Sequence, residues 1–489
     1  MPLTAGAVIV WFRRDFRLQD NPALMAAHKQ GGPILPLYIH DESAEGEWRT
    51  GGASRWWLHH ALASLDEALR SRGSRLLILL GDTAKVMSEM VTGTRAQAIY
   101  YNRRYEPAII ARDTRLKREL ISSGIEIESF NGNLLFEPHT IANKQGKPFQ
   151  VFTPFWRHCL TLPVSEPVEF NARKLTSPIA WPESLPLAKL ALLPLSRWDR
   201  EFSGVWQPGE SNGQTRLKKF LAESVDGYAE DRNQPALDGT SGLSPWLHFG
   251  QLSPRQIWAG VRDLGKGTGV FPSSRGAQVF LSEVGWREFA HHLLYHYPHT
   301  PTEPMRPDFN RFSWARDTSG KKLQAWQKGL TGYPIVDAGM RQLWRTGWMH
   351  NRVRMITASF LVKHLRLPWP AGAAWFWDTL VDADLANNTL GWQWSAGCGA
   401  DAAPYFRIFA PVTQGERYDA GGEYVRRWVP ELAAMPVAWI HRPWEAPIEV
   451  LADANVRLGD NYPRPMVDHA TARAAALAAF KKLRSEQPA

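Results

Sequence analysis

Five short apolar segments, separated by stretches with the spacing of amphipathic helices, occupy the first 131 residues. Short apolar runs rich in β-branched and aromatic residues predict buried strands. Strands that alternate with helices pair in parallel, with helices on both faces of the sheet. The sequence therefore predicts an α/β domain with a doubly wound parallel sheet over residues 1–131. The predicted strands are residues 7–12, 34–39, 75–80, 98–102 and 125–130.

Local signals refine this domain. Ser54 is predicted to cap the helix between the second and third strands, and Gly73 to end it. The loop after the first strand lacks the G-x-G-x-x-G pattern that binds a dinucleotide pyrophosphate in many such domains. We therefore expect no ordinary dinucleotide site in the α/β domain.

The rest of the chain changes character twice. Ten prolines fall between Pro138 and Pro208, which predicts an irregular connector over residues 132–209. Beyond it the apolar residues follow helical spacing, and 15 of the 23 tryptophans lie between Trp246 and Trp444. The sequence therefore predicts an all-α domain over residues 210–489.

Composition excludes several classes of protein. No apolar run approaches the roughly 20 residues of a membrane helix, and no signal-peptide pattern is present, so we expect a cytoplasmic protein without a membrane partner. Two cysteines, Cys159 and Cys398, are too few for an iron–sulfur cluster or a four-cysteine zinc site. Redox chemistry would need an organic cofactor. The formal net charge of +9 favours a polyanionic partner such as nucleic acid.

Residues 340–366 carry six positive charges and no acidic residue. Such a segment is often a solvated helix face, but solvated faces normally mix both signs of charge. Here the cations are interleaved with Trp344, Trp348 and His350, which favours a phosphate-bearing ligand. The cations are Arg341, Arg345, Arg352, Arg354, Lys363 and Arg366.

The string DADLANN contains the pair Asp382 and Asp384, followed by two asparagines. Such a pair can hold a metal ion on a nucleotide diphosphate, as in a glycosyltransferase, or cap a helix and bind a polar ligand. A metal–phosphate site needs further carboxylates, and only Asp401 occurs before Glu416. The carboxamides and the indoles of GWQW favour a flat heteroaromatic ligand without a metal.

Two more segments hold polar groups near helices. Residues 240–244 form a small-residue turn that either caps a helix or offers N–H groups and hydroxyls to a phosphate. In FLSEVGWREFAHHLL, Glu283 and Arg287 are four residues apart, a spacing that suits an ion pair on one helix.

Taken together, these segments resemble the photolyase/cryptochrome family, in motifs that follow in order over nearly the whole chain. They include WFRRDFRLQDNPAL, VFTPFWR, TSGLSPWLHFGQLSPRQ, EVGWREF, TGYPIVDAGMRQLWRTGWMHNRVRMI, DADLANN and GWQW. The resemblance implies a Rossmann-like amino-terminal domain, a connector and an all-α, FAD-binding carboxy-terminal domain. ASRWWLHHAL and YYNRRYE are most similar to class III photolyases, which repair cyclobutane pyrimidine dimers.

The resemblance assigns residues to FAD. Asn388 would face the flavin nitrogen that exchanges a proton, where a neutral carboxamide is similar to photolyases and does not repel an anionic flavin. His364 departs from relatives, which often place an aspartate there to pair with the counterpart of Arg354. The remaining implied contacts are Tyr228, Thr240, Ser241, Gly242, Leu243 and Ser244 at the diphosphate, Asp382, Ala383 and Asp384 at ribose and isoalloxazine, Arg287 and Arg354 near the flavin, and Phe280.

Other roles follow from the same resemblance. Trp392, Trp369 and Trp314 match the chain of indoles that carries electrons to the flavin, from the nearest indole to the surface. A second set matches the pocket for a lesion flipped out of DNA, in which indoles stack on bases. This set consists of Glu283, Trp286, Asn351, Arg352, Met355 and Trp394. The residues that match contacts to backbone phosphates are Arg232, Arg352 and Gln414.

The implied function is light-driven repair of cyclobutane pyrimidine dimers in UV-damaged DNA, by electron transfer from excited reduced FAD, in a monomeric enzyme. The implied antenna is methenyltetrahydrofolate, with Glu106 as a contact; the alternatives are a deazaflavin or an empty pocket. Relatives that repair (6-4) lesions carry two histidines where this chain has Asn351 and Met355. The alternative is a blue-light-sensing cryptochrome that binds FAD without repair activity, and a glycosyltransferase is a more distant one.

Overall fold

The computed structural model describes residues 6–266, 271–402 and 406–485. Five parallel strands form one sheet in its amino-terminal part, each within two residues of the predicted bounds: β1 (Val8–Trp11), β2 (Ile34–His40), β3 (Leu77–Leu80), β4 (Ala98–Asn102) and β5 (Glu126–Phe130). Their order is β3-β2-β1-β4-β5, so the chain winds outward from β1 in both directions. The helices between them are α1 (Pro22–Gln30), α2 (Gly52–Arg70), α3 (Thr83–Thr94) and α4 (Pro107–Ser122).

The start of α2 differs from the prediction. Ser54 is not the cap: it lies within the first turn, and its Oγ donates a hydrogen bond to the carbonyl of Leu380 at 2.9 Å. The N–H of Gly52 donates instead to Oδ1 of Asp378 at 2.8 Å. A Cβ on Gly51 would overlap the backbone of Trp377, so glycine permits this close approach. A contact with the helical part thus overrides the local capping signal.

The second half is helical. Residues 132–209 contain two short helices, α5 (Phe152–Cys159) and α6 (Phe202–Val205), within otherwise irregular chain. The later helices are α7 (Glu210–Glu223), α8 (Tyr228–Asp231), α9 (Ser244–His248), α10 (Pro254–Leu264), α11 (Arg275–His296), α12 (Lys321–Gln327), α13 (Pro334–Thr346), α14 (Asn351–Ser359), α15 (Trp369–Thr379), α16 (Leu385–Ala396), α17 (Pro411–Tyr418), α18 (Glu423–Trp428), α19 (Ile448–Asp453) and α20 (His469–Ser485). A π-helical turn, Phe360–His364, extends α14. No helix in the described ranges is both long and apolar enough to cross a membrane.

Buried carboxylates join the sheet part to the helical part. Glu210 at the start of α7 accepts hydrogen bonds from the N–H groups of Leu18 and Gln19, both at 2.8 Å. Asp20 forms an ion pair with Arg255 of α10 at 3.0 Å, and both side chains are buried. One apolar core contains side chains from both parts. The two parts are therefore fixed to each other by packing and by charged hydrogen bonds.

Candidate functional site

Asp382 ties together three of the helices that carry residues assigned to FAD. Arg354 of α14 donates through Nη2 to both carboxylate oxygens, at 3.1 and 2.8 Å. Ser244, the first residue of α9, donates from Oγ to Oδ2 at 2.6 Å. Asp382 itself precedes α16 and is buried. Its charge is thus compensated by protein donors, which leaves no reason to invoke a metal at this carboxylate.

The turn before α9 presents its carbonyl groups to Arg216. The guanidinium donates to the carbonyl oxygens of Ser241 at 2.8 Å and Thr240 at 3.3 Å. Gly242 has a φ of +61°, a conformation that residues with a Cβ rarely adopt. Because Arg216 occupies the carbonyl side and the hydroxyl of Ser244 donates to Asp382, the hydroxyl groups of Thr240 and Ser241 can still donate to a ligand.

Asp384 faces two histidines. Its Oδ1 accepts hydrogen bonds from the backbone and side-chain N–H groups of Asn387, which makes Asp384 the N-cap of α16. Its Oδ2 lies 3.7 Å from Nδ1 of His248 and 3.5 Å from Nε2 of His291. Among the described residues, neither ring nitrogen of the buried His248 has a hydrogen-bond partner. Buried polar atoms are normally paired, so His248 points to a polar ligand in this cleft, and FAD fits that requirement.

Three more residues are assigned to the cofactor: Asn388, Tyr228 and Phe280. The side-chain amide of Asn388 donates through Nδ2 to the carbonyl of Ala373 at 3.1 Å, so its Oδ1 is the end available to a ligand. Tyr228 and Phe280 pack edge to face with ring centroids 5.5 Å apart. Burial raises the pKa of Tyr228, so its hydroxyl is a neutral donor.

The three indoles assigned to electron transfer lie in α16, at the start of α15 and in the segment before α12. Trp392 of α16 is buried against α15, where a Cβ on Gly372 would overlap its ring. Trp369 is buried one turn before Gly372. Trp314 is half-buried, and the N–H of Ala315 donates to the carbonyl of Arg366 at 2.8 Å, which holds this segment beside the start of α15. Trp392 also contacts Trp326, at 6.1 Å between centroids.

Glu283 pairs with Arg232, and the expected ion pair with Arg287 is wrong. Nη1 of Arg232 lies 2.5 Å from Oε1 of Glu283. Arg287 instead donates to the carbonyl of Asn133 at 2.8 Å and lies 3.6 Å from Glu288. Burial raises the pKa of Glu283, although Arg232 opposes this shift. Glu283 of α11 and Arg232, the residue after α8, therefore form a partly buried ion pair.

Arg352 connects this ion pair to α14 and α17. Its Nη2 donates to Oδ1 of Asn233, next to Arg232, at 2.6 Å, and its Nη1 lies 3.8 Å from the sulfur of Met355. Its guanidinium lies 4.5 Å from the ring centroid of Tyr418, on the helix that also carries Gln414. These contacts bring together four of the residues assigned to lesion and phosphate binding, and Gln414 lies one turn before Tyr418 on α17. The four are Glu283, Arg232, Arg352 and Met355.

The remaining lesion residues lie on α14, α11 and α16. Asn351 is exposed in the first turn of α14. Trp286, one turn after Glu283, stacks on Phe152 of α5 with centroids 3.9 Å apart. Trp394 of α16 lines a basic pocket with Lys363 and other cations. The sequence patterns did not single out Phe152 or His248, although both occur in quoted motifs, because only tertiary packing shows what they face.

The cation-rich segment is largely neutralised within the protein. Arg341 pairs with Glu431 at 2.8 Å and Arg345 with Glu201 at 2.7 Å, as Arg354 does with Asp382. These three arginines have carboxylate partners within the protein, so their charge alone does not require an external anion. Acidic residues distant in sequence supply the missing charge, which no local pattern reveals.

Glu106 lies behind a polar pocket at the carboxyl ends of β1 and β2. Its Oε1 lies 3.2 Å from Arg14 and 2.8 Å from Arg104. Both arginines line the pocket with Glu45 and Tyr38. Burial alone would raise the pKa of Glu106, but the two guanidinium groups hold it far below its usual range. Glu106 is therefore an ionised support for the pocket wall.

A parallel α/β domain packed on a helical domain that carries Asp382, Asp384 and the unpartnered His248 is the architecture of a class of flavoproteins. Residues 8–172 match the family model described as DNA photolyase, and residues 280–482 match the FAD binding domain of DNA photolyase. A deoxyribodipyrimidine photo-lyase of Agrobacterium fabrum is 46% identical over 98% of each chain. The chain belongs to the photolyase/cryptochrome family, and its helical part is a FAD-binding domain.

Two further similarities locate it within the family. The crystal structure of a bacterial class III photolyase from Agrobacterium tumefaciens superposes with a TM-score of 0.94, at 46% identity over 99% of each chain. Cryptochrome-1 of Arabidopsis thaliana is 40% identical over 96% of this chain and 70% of its own length. The 46% identity to the class III photolyase thus exceeds the 40% identity to this cryptochrome.

Proposed function

We propose that the chain is a light-driven deoxyribodipyrimidine photo-lyase, a carbon–carbon lyase that splits cyclobutane pyrimidine dimers in UV-damaged DNA and works as a cytoplasmic monomer. One observation carries the proposal. Glu283, with its raised pKa, sits between the phosphate-binding candidates Arg232 and Arg352 and the stacking surface of Trp286. A flipped pyrimidine pair needs these three functions at one place.

The cofactor cleft is suited to FAD in its reduced state. Bound FAD supplies, when excited by light, the electron that splits the dimer and receives it back afterwards. Asn388 offers a neutral carboxamide oxygen, which does not repel an anionic ring. Asp382 and Asp384, oriented by Arg354 and by two histidines, accept hydrogen bonds from the cofactor's hydroxyl and N–H groups. The turn at residues 240–244 and Tyr228 would hold the diphosphate.

On the DNA side, each residue has one task. Trp286 has one ring face covered by Phe152, so its other face is offered to a base. Glu283 and Asn351 hydrogen-bond the pyrimidine edges, while Met355 and Trp394 bound the pocket. Arg232, Arg352 and Gln414 contact phosphates beside the lesion.

Two accessory roles complete the proposal. Trp392, Trp369 and Trp314 carry electrons from the surface to oxidised FAD and thereby restore its active state. The pocket supported by Glu106 holds an antenna, methenyltetrahydrofolate.

The sheet domain would end near residue 131 and the helical domain begin near residue 210, with the connector between them.

The decisive experiment is illumination of the purified, flavin-reduced protein with an oligonucleotide that contains one dimer. We expect loss of dimers under blue light and none in the dark. The rival function is a cryptochrome that signals without repair, which the 40% identity to Cryptochrome-1 keeps in consideration. Dimers that remain after illumination of the FAD-bound protein would support that rival.

A further inference from the structure

The guanidinium group of Arg352 is fixed by a carboxamide and an aromatic ring. Its Nη2 donates a hydrogen bond to Oδ1 of Asn233, in the loop after α8, at 2.6 Å. Its Cζ lies 4.5 Å from the ring centroid of Tyr418, the last residue of α17. A hydrogen bond on one edge and a ring on one face fix the plane of a guanidinium group without neutralising it.

The carboxamide of Asn233 is itself held in place. The backbone N–H of Asn233 donates to the carbonyl oxygen of Glu230 at 3.2 Å, and its side-chain Nδ2 lies 3.5 Å from the same oxygen. The nitrogen end of the side chain therefore faces α8, and the oxygen end faces Arg352.

Neighbouring arginines have a different kind of partner. Arg232, which precedes Asn233 in the chain, forms an ion pair with Glu283. Among the residues that the structure describes, no carboxylate forms an ion pair with Arg352. The arginines of residues 340–366 that pair with carboxylates are Arg341, Arg345 and Arg354.

Most of the charge close to Arg352 is positive. Burial lowers the pKa of Arg352, and repulsion by Arg232, Arg407 and Arg417 lowers it further. Glu283 feels the charge of Arg352, but less strongly than that of Arg232. An anion that binds beside like charges relieves their repulsion. A guanidinium group without a carboxylate partner therefore contributes its whole charge to the attraction for a phosphate.

We propose that Asn233 is a positioning residue for DNA binding: its carboxamide, together with the ring of Tyr418, holds the guanidinium group of Arg352 in place and leaves its charge available to a phosphate. The contacts lie within the protein, whereas the ligand, a backbone phosphate of DNA, rests on the proposed function. The substitution Asn233→Asp would preserve the hydrogen bond and neutralise Arg352. The residue type at position 233 therefore sets the charge of this surface.

The first experiment measures DNA affinity against salt concentration, by fluorescence anisotropy of the FAD-bound protein in the dark. For Asn233→Asp we expect weaker binding and a slope of log affinity against log salt concentration that is about one unit shallower, because one uncompensated cation is lost. Asn233→Ala should weaken binding and keep the wild-type slope, because the charge of Arg352 remains. A wild-type slope in Asn233→Asp would overturn the proposal.

The matched control is Asn143→Asp. Oδ1 of Asn143 accepts hydrogen bonds from two backbone N–H groups of its own turn, at 2.9 and 3.0 Å, and an aspartate accepts them equally well. The surrounding segment contacts His292 and His296 in the second half of α11, whereas Glu283 lies in the first half. The control should keep the wild-type slope. An equal change of slope would assign the effect to net charge and would overturn the proposal.

The second experiment asks whether Asn233 acts through Arg352. Asn233→Ala should weaken DNA binding about three- to tenfold, because one hydrogen bond to a guanidinium group is lost. In the Arg352→Gln background the same substitution should have no further effect, since the group that it positions is gone. Additive losses would show that Asn233 acts independently of Arg352 and would overturn the proposal. Flavin absorption and thermal unfolding verify that each variant is folded and holds FAD.

Failure of the proposed function has a different signature. A protein that shows both results for Asn233, but leaves dimers intact under light, would bind DNA as proposed here and lack repair activity. A protein that repairs dimers and keeps the wild-type slope in Asn233→Asp would retain the proposed function and refute the role of Asn233. The two conclusions are thus tested separately.

Discussion

The indole of Trp286 lies flat on the ring of Phe152, with centroids 3.9 Å apart and planes 9° apart. The ring of Trp156 is nearly parallel to that of Phe152, with centroids 6.5 Å apart and planes 13° apart. A base can therefore approach Trp286 from one side only. The stack fixes the plane in which a flipped pyrimidine must lie.

We expect Phe152→Ala to weaken binding of dimer-containing DNA about tenfold, because Trp286 loses the ring that holds its plane. Fluorescence anisotropy in the dark measures this, with flavin content checked by absorption. Phe149→Ala is the control, since Phe149 packs on Phe155 and His158. An equal loss of DNA affinity in Phe149→Ala would show that the effect comes from general disturbance of the segment and not from the orientation of Trp286.

Trp392→Phe should abolish photoreduction of oxidised FAD, while repair by chemically pre-reduced enzyme is largely retained. Gly372→Ala should also impair photoreduction, because the added Cβ overlaps the ring of Trp392. Gly391→Ala in α16 is the control: its Cβ meets no atom within 4 Å, and alanine favours helix by about 1 kcal/mol. Flavin bleaching under illumination measures each variant, and unchanged photoreduction in Trp392→Phe would refute its role.

Glu283→Ala should lower the number of dimers repaired per absorbed photon more than it lowers DNA affinity. The carboxyl is placed to stabilise negative charge on the lesion after electron transfer, whereas Arg232 and Arg352 provide the attraction for phosphate. Glu283→Gln keeps the shape and should lose less. Quantum yield and dissociation constant are measured on the same oligonucleotide; a change in affinity alone would contradict this role.

The free energy of unfolding should fall in acid partly because of His292. Burial lowers its pKa from 6.5 to about 3, and the N–H of Phe149 donates to its Nε2 at 3.0 Å. Between these two values the unfolded chain binds a proton that the native histidine does not, so stability falls as pH decreases, by roughly 1.4 kcal/mol per pH unit at most. Urea titrations at several pH values should show a shallower dependence of stability on pH in His292→Gln than in the wild-type protein.

Glu106→Gln should remove the absorption of the antenna and leave that of the flavin. Loss of the carboxylate frees Arg14 and Arg104, which form part of the pocket wall. Glu119→Gln on the exposed side of α4 is the matched control. Absorption spectra of the purified variants test whether antenna binding needs this carboxylate. A retained antenna band in Glu106→Gln would show that it does not.

The strands could be predicted because their signals are local. The apolar runs of β1 to β5 fall within two residues of their observed bounds, and the region after residue 210 is helical as its apolar spacing predicted. The family motifs also identified residues that the structure brings together, such as Ser244, Arg354 and Asp382.

Partners distant in sequence could not be predicted. Ser54 carries a capping signal, yet Asp378, more than three hundred residues later, binds the first turn of α2. The acid-free segment predicted an external anion for Arg341, whose partner Glu431 lies 90 residues away. Such pairs depend on how the helices pack, and no local sequence pattern predicts that packing.

The buried carboxylates between sheet and helices also bear on light harvesting. Resonance energy transfer depends steeply on the separation of two chromophores and on the angle between their transition dipoles. Glu210 and Asp20 hold the sheet domain rigidly on the helices. A pigment seated above β1 and β2 would therefore keep one orientation relative to the flavin cleft, and its transfer efficiency would be set by the fold and not by thermal movement of the domains.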